Sequence, residues 1–329
     1  MRNRLLASFL LLGLCAQSQV ASDLDRFIAN QKPGLIALYK ELHQNPELSF
    51  EEKETSTRMA SELKALKWEV AENIGGYGVV GVLKNGRGPP VLVRTDMDAL
   101  PLKEATGADY ASNKKVTDKD GNTVSVMHGC GHDFHMTTWV AVARFLNAHR
   151  KYWSGTLVFI AQPAEEKSAG AKAMLKDGLY SKFPKPDYAI ALHVNSKLPA
   201  GTVGYCSGGA LAKIDILDIT VKGKGGHGGM PNFSKDPIVL SAQFINALQT
   251  IVSREINPAE PAVVTVGSIH GGSSANTIPS EVKLELTIRS LNDSIQEAMI
   301  ASIRRIANGV AATAGLEEKD YPIISVRDE

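Results

Sequence analysis

Apolar residues in 22–42 recur at helical spacing, with an interruption at Pro33-Gly34. Ser49 followed by Glu52 forms a capping-box pattern and predicts a second helix running to about Leu66, with Met59, Leu63 and Leu66 turned inward. Residues 79–83 and 91–95 read as strands separated by a Gly/Pro turn. Residues 103–124 are polar and turn-rich, with Asp120-Gly121 as a hairpin signal. Helical spacing returns at Trp139, Val142, Ala143 and Leu146, so a helix is expected to open near Asp133. Residues 156–161 and 188–192 are continuous apolar runs, with a helix over 169–176 between them that stops at Gly178. Helices alternating with uninterrupted apolar strands predict an α/β layered domain with a mainly parallel sheet buried on both faces.

The pattern changes after Pro199. Leu217, Ile219 and Val221 alternate with Ile216, Asp218 and Thr220, as in a strand with two unlike faces. Asp236-Pro237 supplies an N-cap and a proline in the first helical turn, and Ile238, Ala242, Ile245, Leu248 and Val252 follow on one face. Strands at 263–269 and 282–288 come next. Ser294 and Glu297 form another capping box, ahead of a stripe of Ile295, Met299, Ile303, Ile306 and Val310. This order predicts a compact α+β unit at 205–313, inserted into a first domain formed by 22–204 and 314–329, to which a final strand-like run at 321–326 returns.

Composition narrows the function classes. A hydrophobic fraction of 43% over 329 residues is enough for two cores. A formal charge of +1 argues against a nucleic-acid partner. The mean hydropathy of -0.09 is that of a chain with no membrane span. Arg2 and Arg4, then the apolar residues 5–14, then Ala16, Ser18 and Ala21 match a cleavable secretory signal over 1–21. A secreted or periplasmic location is therefore expected. Cys15 would leave with the signal; Leu14 is too bulky for a lipid-anchor site. Cys130 and Cys206 remain, and an oxidising compartment permits a disulfide between them. A metal thiolate competes for Cys130, and we favour it.

The candidate chemistry centres on residues 126–135, where His128, Cys130, His132, Asp133 and His135 crowd one run. Imidazole, thiolate and carboxylate are the ligands of zinc and related divalent metals. If the segment is extended, His128, Cys130 and His132 share a side and converge on one ion. Ligands of α/β sheets bind at the carboxyl ends of the strands. Three core strands each deliver a suitable group there: Asp96 and Asp98 after 91–95, Glu165 and Glu166 after 156–161, and His193 after 188–192. Paired Glu165 and Glu166 allow a division of labour, one binding metal and its neighbour taking a proton from water. Metal binding lowers the pKa of water from about 15.7 towards about 7. Gly223-Lys224-Gly225-Gly226-His227-Gly228 fits a dinucleotide-binding glycine pattern, but Pro231 prevents a helix from opening there and no acid follows at the ribose position. A turn presenting His227 is the better reading.

Taken together, the motifs at 43–49, 94–101, 127–133, 162–166, 225–227 and 271–279, with the strand ending at His193 and the one carrying Arg289, resemble one family. It is that of the zinc-dependent amidohydrolases and metallopeptidases of the aminoacylase/carboxypeptidase clan, in the branch of hippurate hydrolases, N-acyl-amino-acid amidohydrolases and auxin-conjugate hydrolases. The resemblance implies two divalent metal ions, zinc first and manganese, cobalt or nickel as alternatives, held by Cys130, His132, Glu166 and His193. It implies Glu165 as general base and Asp96 as a carboxylate that orients a ligand. It implies His227 as oxyanion stabiliser, Asn276 and Arg289 as grips on a substrate carboxylate, and the 205–313 unit as a lid that forms a homodimer.

The expected reaction is hydrolysis of the amide of an N-acyl or N-aroyl amino acid by metal-activated water. A dipeptidase or carboxypeptidase of the same clan is the alternative within that chemistry. The family also implies a last ligand histidine near the C-terminus, whereas no histidine follows His270. The chain is therefore expected to be a fragment or a short natural form, poorly active, with a catalytically impaired binding homologue as the third reading.

Overall fold

The computed structural model describes residues 2–117 and 121–327. Contacts divide the chain into two compact units, 1–199 and 200–329.

In the first unit, α1 (Arg2–Gln44) runs through Pro33 without a break. The predicted interruption does not form: proline in a helix forfeits one backbone bond, and packing of Leu38 and Leu42 into the core holds the helix beyond it. There follow α2 (Lys53–Ala65), β1 (Glu69–Ile74), β2 (Gly78–Asn85) and β3 (Pro90–Asp96), then the small hairpin β4 (Lys115–Thr117) and β5 (Thr123–Ser125). The hairpin pairs antiparallel around the expected turn, of which Asp120 lies outside the described residues. The unit closes with α3 (His132–Ala148), β6 (Gly155–Gln162), α4 (Gly170–Lys176), the short α5 (Leu179–Lys182) and β7 (Tyr188–Ala191).

The sheet order is β1-β2-β6-β3-β7. β6, β3 and β7 run parallel, while β1 and β2 extend the sheet antiparallel. The fold is therefore α/β with a mixed sheet, whose parallel part carries the strand tips of interest. Alternate residues of β6 serve opposite layers. Leu157 and Phe159 pack with Met59, Leu63, Met136 and Trp139 from α2 and α3, whereas Val158 and Ile160 pack with Met174 and Leu179 from α4 and α5. Burial on both faces accounts for the unbroken apolar run of β6, whereas β7, expected to be buried in the same way, is exposed along its length as an edge strand of this sheet.

The second unit contains β8 (Lys213–Lys222), β9 (Gly226–His227), α6 (Pro237–Thr250), β10 (Ala262–His270), β11 (Thr277–Ile278), β12 (Glu281–Ser290), α7 (Asp293–Thr313) and β13 (Ile323–Val326). Its sheet, β10-β12-β8-β13, is antiparallel throughout. One face, bearing Leu217, Ile219, Val221, Leu284, Leu286 and Ile288, is covered by Phe244 and Leu248 of α6 and Met299 and Ile303 of α7. Asp236 caps α6 as predicted, accepting from the Ile238 and Val239 N–H groups. α7 is capped by Asn292 rather than by Ser294. β13, the run for which the sequence predicted a return to the first domain, lies against β8, with Ile324 and Val326 packed on the second unit's core. No helix among the described residues is long and apolar enough to cross a membrane.

Candidate metal centre

The parallel register of β3, β6 and β7 brings their C-terminal ends to one edge, and α3 starts at the same edge. Asp96 ends β3, and Asp98 follows two residues on. After β6 the chain turns sharply at Ala164, whose φ of 47° is unusual for a residue with a side chain, and presents Glu165 and Glu166. His193 follows β7 by two residues.

Residues 129–131 form a turn rather than the extended segment expected, because Gly131 takes a φ of 82°. A Cβ there would stand 2.6 Å from Val194 Cγ2, so glycine lets the turn close against the His193 segment. The turn sends Cys130 and His132 to the strand tips and takes His128 elsewhere. His128 is buried away from the ligand clusters, and burial drops its pKa to about 4.

The remaining groups converge. Cys130 Sγ lies 3.4 Å from His193 Nε2. His132 Nε2 lies 3.6 Å from Asp96 Oδ2 and 3.8 Å from both Glu165 Oε2 and Glu166 Oε1. Cys130, His132 and His193 form one potential ligand cluster, His132, Glu165 and Glu166 a second, and Asp96, His132 and His135 a third, each with donor atoms within 4.8 Å of one another. The fully buried His132 gives its Nδ1 proton to the Asp98 carbonyl at 2.7 Å. This leaves the Nε2 lone pair aimed among the acids, and that atom has no hydrogen-bond partner; nor has Glu166 Oε1. A buried imidazole whose other nitrogen is fixed by a carbonyl is the arrangement of a metal-binding histidine. These residues fit a divalent cation.

The electrostatics agree. Burial opposes charge on His132, but the hydrogen bond to Asp98 and the charges of Asp96 and Asp98 outweigh it and raise its pKa. Burial, then Glu166, pushes the Cys130 thiol up to about 11. Burial also raises Glu166. Asp96 resists burial, because a hydrogen bond from His135 and the charge of Arg94 hold it at about 2. A crowd of acids around one imidazole calls for added positive charge, and a cation supplies it.

Several neighbours of the centre went unread in the sequence. Ser49 Oγ donates to Asp98 Oδ2 at 2.7 Å, and the Glu166 N–H donates to the same oxygen at 3.0 Å. Glu52 accepts from the Ala164 N–H at 2.7 Å. Ser49 and Glu52 therefore serve the strand tips, and α2 has no side-chain cap. His43 is held between Asp133 (2.6 Å) and Glu104 (3.0 Å). Burial opposes its charge, but the bonds to those two acids raise its pKa. His135 lies one helical turn beyond His132, a spacing that could have flagged it.

In the second unit, β9 pairs with β11, setting Thr277 opposite His227, and the Gly228 N–H donates to the Asn276 carbonyl at 2.8 Å. His227 and Asn276 are thus neighbours. Arg289 lies far along β12, paired with Ile214 and Val263. It is eight residues from the Glu281 end, about 26 Å at ~3.3 Å per residue.

An α/β sheet with acids, imidazoles and a thiol gathered at its C-terminal edge defines a candidate centre for divalent metal. The chain belongs to Peptidase family M20/M25/M40, which it matches over residues 92–314. It is 40% identical over 281 residues to a hippurate hydrolase of Campylobacter jejuni, an alignment covering 85% of this chain and 70% of that protein. It is 38% identical over 285 residues to an N-acetylcysteine deacetylase of Bacillus subtilis, covering 86% and 72%. Among solved structures, a dinuclear metal-binding peptidase of the same family from Bacillus subtilis superposes with a TM-score of 0.74 at 31% identity, covering 92% of this chain and 74% of that one. The family's members include hydrolases of amide bonds and of small N-acyl amino acids.

Proposed function

We propose that this protein hydrolyses the amide bond of N-acyl or N-aroyl amino acids, with Cys130, His132, Glu166 and His193 holding two divalent ions, zinc first among the candidates. The observation that carries this is the buried, unpartnered Nε2 of His132, facing Glu166 and Glu165 beside the Cys130–His193 pair. When bound, the metal supplies Lewis acidity that acidifies water and polarises the amide carbonyl. Glu165, the more exposed of the two glutamates, takes the proton of the attacking water and delivers it to the leaving nitrogen. Asp96 keeps its neighbouring imidazoles oriented. In this reading residues 205–313 act as lid and dimerisation domain. His227 donates to the oxyanion and Asn276 and Arg289 bind the substrate carboxylate. Arg289 stands at the end of β12 away from Glu281 and the His227 ribbon, a placement in keeping with a homodimer whose copies each supply part of the site. Residues 1–21 are proposed as a secretory leader directing the chain out of the cytoplasm.

The test combines metal content with a substrate panel. Purified protein is equilibrated with zinc or manganese, its metal measured by mass spectrometry, and hydrolysis of N-acetyl and N-benzoyl amino acids compared with that of dipeptides. Glu165→Gln should keep the metal and lose at least about a hundredfold in kcat, whereas Glu166→Gln should lose metal. Protein that takes up no divalent ion, or that cleaves dipeptides and ignores N-acyl amino acids, would refute the reading.

A further inference from the structure

His135 belongs to one of the potential ligand clusters, yet both of its ring nitrogens are already engaged. Nε2 accepts from the Val194 N–H at 2.9 Å. An imidazole nitrogen that accepts carries no proton, so the proton is on Nδ1, which donates to Asp96 Oδ1 at 2.7 Å. No lone pair remains for a cation. The ring is buried, and it sits on α3 three residues after His132, with the two ring centres 5.4 Å apart.

Both contacts lead to the centre. Asp96 presents its other oxygen, Oδ2, to Arg94 at 2.7 Å and to His132 Nε2 at 3.6 Å. Val194 follows His193, and its carbonyl accepts the Nδ1 proton of the His193 ring at 2.8 Å. The Val194 residue is thus bonded on both sides, its N–H to His135 and its carbonyl to His193. β7 pairs with β3 only as far as Ala191, so ladder bonds do not fix His193. The His135 and His193 ring centres are 4.6 Å apart.

Resting on the function proposed above, we propose that His135 is a positioning residue and not a metal ligand: one neutral imidazole ties the tip of β3 and the segment after β7 to the helix that carries His132. It thereby sets Asp96 and the His193 ring in register with Cys130 and His132.

The two roles respond differently to substitution. In His135→Gln the amide oxygen can take the place of Nε2 and accept from Val194, while His135→Leu offers nothing to either partner. Zinc affinity is measured on the full chain by competition with a chromophoric chelator, alongside the visible spectrum of the cobalt-loaded protein and thermal unfolding. The expected result is a 10- to 100-fold loss in His135→Leu, the range for loss of a group supporting metal ligands. In His135→Gln affinity should return to within about threefold of wild type, with a wild-type cobalt spectrum. If His135→Leu does not fold, His135→Ala takes its place as the variant that offers nothing to either partner, with the same expected loss. Equal affinity in all three proteins overturns the inference, as does a folded Gln variant a hundredfold weaker than wild type, since that marks His135 as a ligand. Wild-type protein that binds no zinc overturns the functional reading and this one with it; metal binding indifferent to His135 removes this one alone.

Discussion

Glu52 offers a test of the support beneath the centre. Its carboxylate is fully buried; Oε1 accepts from the Phe50 and Ala164 N–H groups, and Oε2 has no partner. Burial lifts its pKa from 4.5 to about 7, against the lowering effect of those backbone bonds. The folded chain therefore holds a proton that the unfolded chain releases above pH 4.5. Stability from this group is fully present below pH 4.5, declines as pH rises, and is gone above about 7. The difference in proton affinity between the folded and unfolded chains corresponds to about 3 kcal/mol, at ~1.36 kcal/mol per factor of ten. Glu52→Gln keeps the oxygen that accepts from Phe50 and Ala164 and removes the titration. Its unpaired amide carries a cost of about 1–3 kcal/mol, but that cost is the same at every pH. The assay is urea unfolding at pH 5 and pH 8 in the presence of chelator, followed by tryptophan fluorescence. Trp68, Trp139 and Trp153 all lie in the first unit, so the signal reports on it. Relative to wild type, the variant should gain about 2.5 kcal/mol on going from pH 5, where part of the term is already lost, to pH 8. A difference between the two proteins that stays constant within 0.5 kcal/mol, on the order of the error of such comparisons, would refute the assignment of a retained proton.

Because the Cys130 thiol is raised to about 11, it is protonated at neutral pH and must release its proton to bind metal. Zinc affinity should climb about tenfold per pH unit between 7 and 9, and calorimetry in two buffers should show Cys130→Ser releasing about one proton fewer than wild type on binding. Gly131→Ala places a side chain at positive φ and against Val194; it should cost about 1–2 kcal/mol, read by urea unfolding, and weaken zinc binding as the His193 segment shifts. In the second unit, Phe244→Ala empties a buried position between α6 and the sheet and should destabilise by about 3–5 kcal/mol, measured by calorimetry of that transition.

What the sequence disclosed follows from the range of each physical signal. The β6 strand was legible because burial on both faces demands an unbroken apolar run, and the strand tips were legible because a parallel sheet turns sequence order into a common edge. β1 escaped notice: it is an edge strand whose Glu69 and Glu72 break the apolar pattern. Pro33 gave a local signal that tertiary packing overrode.

The capping box at Ser49 and Glu52 shows how local rules fail at a site. Both residues have the chemistry of a helix start, and α2 does start beside them. Ser49 nevertheless turns to Asp98 and Glu52 to Ala164, 49 and 112 residues distant in sequence. Asp98 and Ala164 are the points from which His132 and the Glu165–Glu166 pair are held, so the helix gives up its side-chain cap, worth about 1 kcal/mol, to the strand tips. His135 follows the same logic. By spacing it is a second histidine on a helix face, and only the Val194 N–H, 59 residues away, distinguishes a support from a ligand. Ligand-type residues were visible as residue types at strand ends. The groups that aim them were hidden, because their partners are set by tertiary contact and their own neighbourhoods suggest a different use.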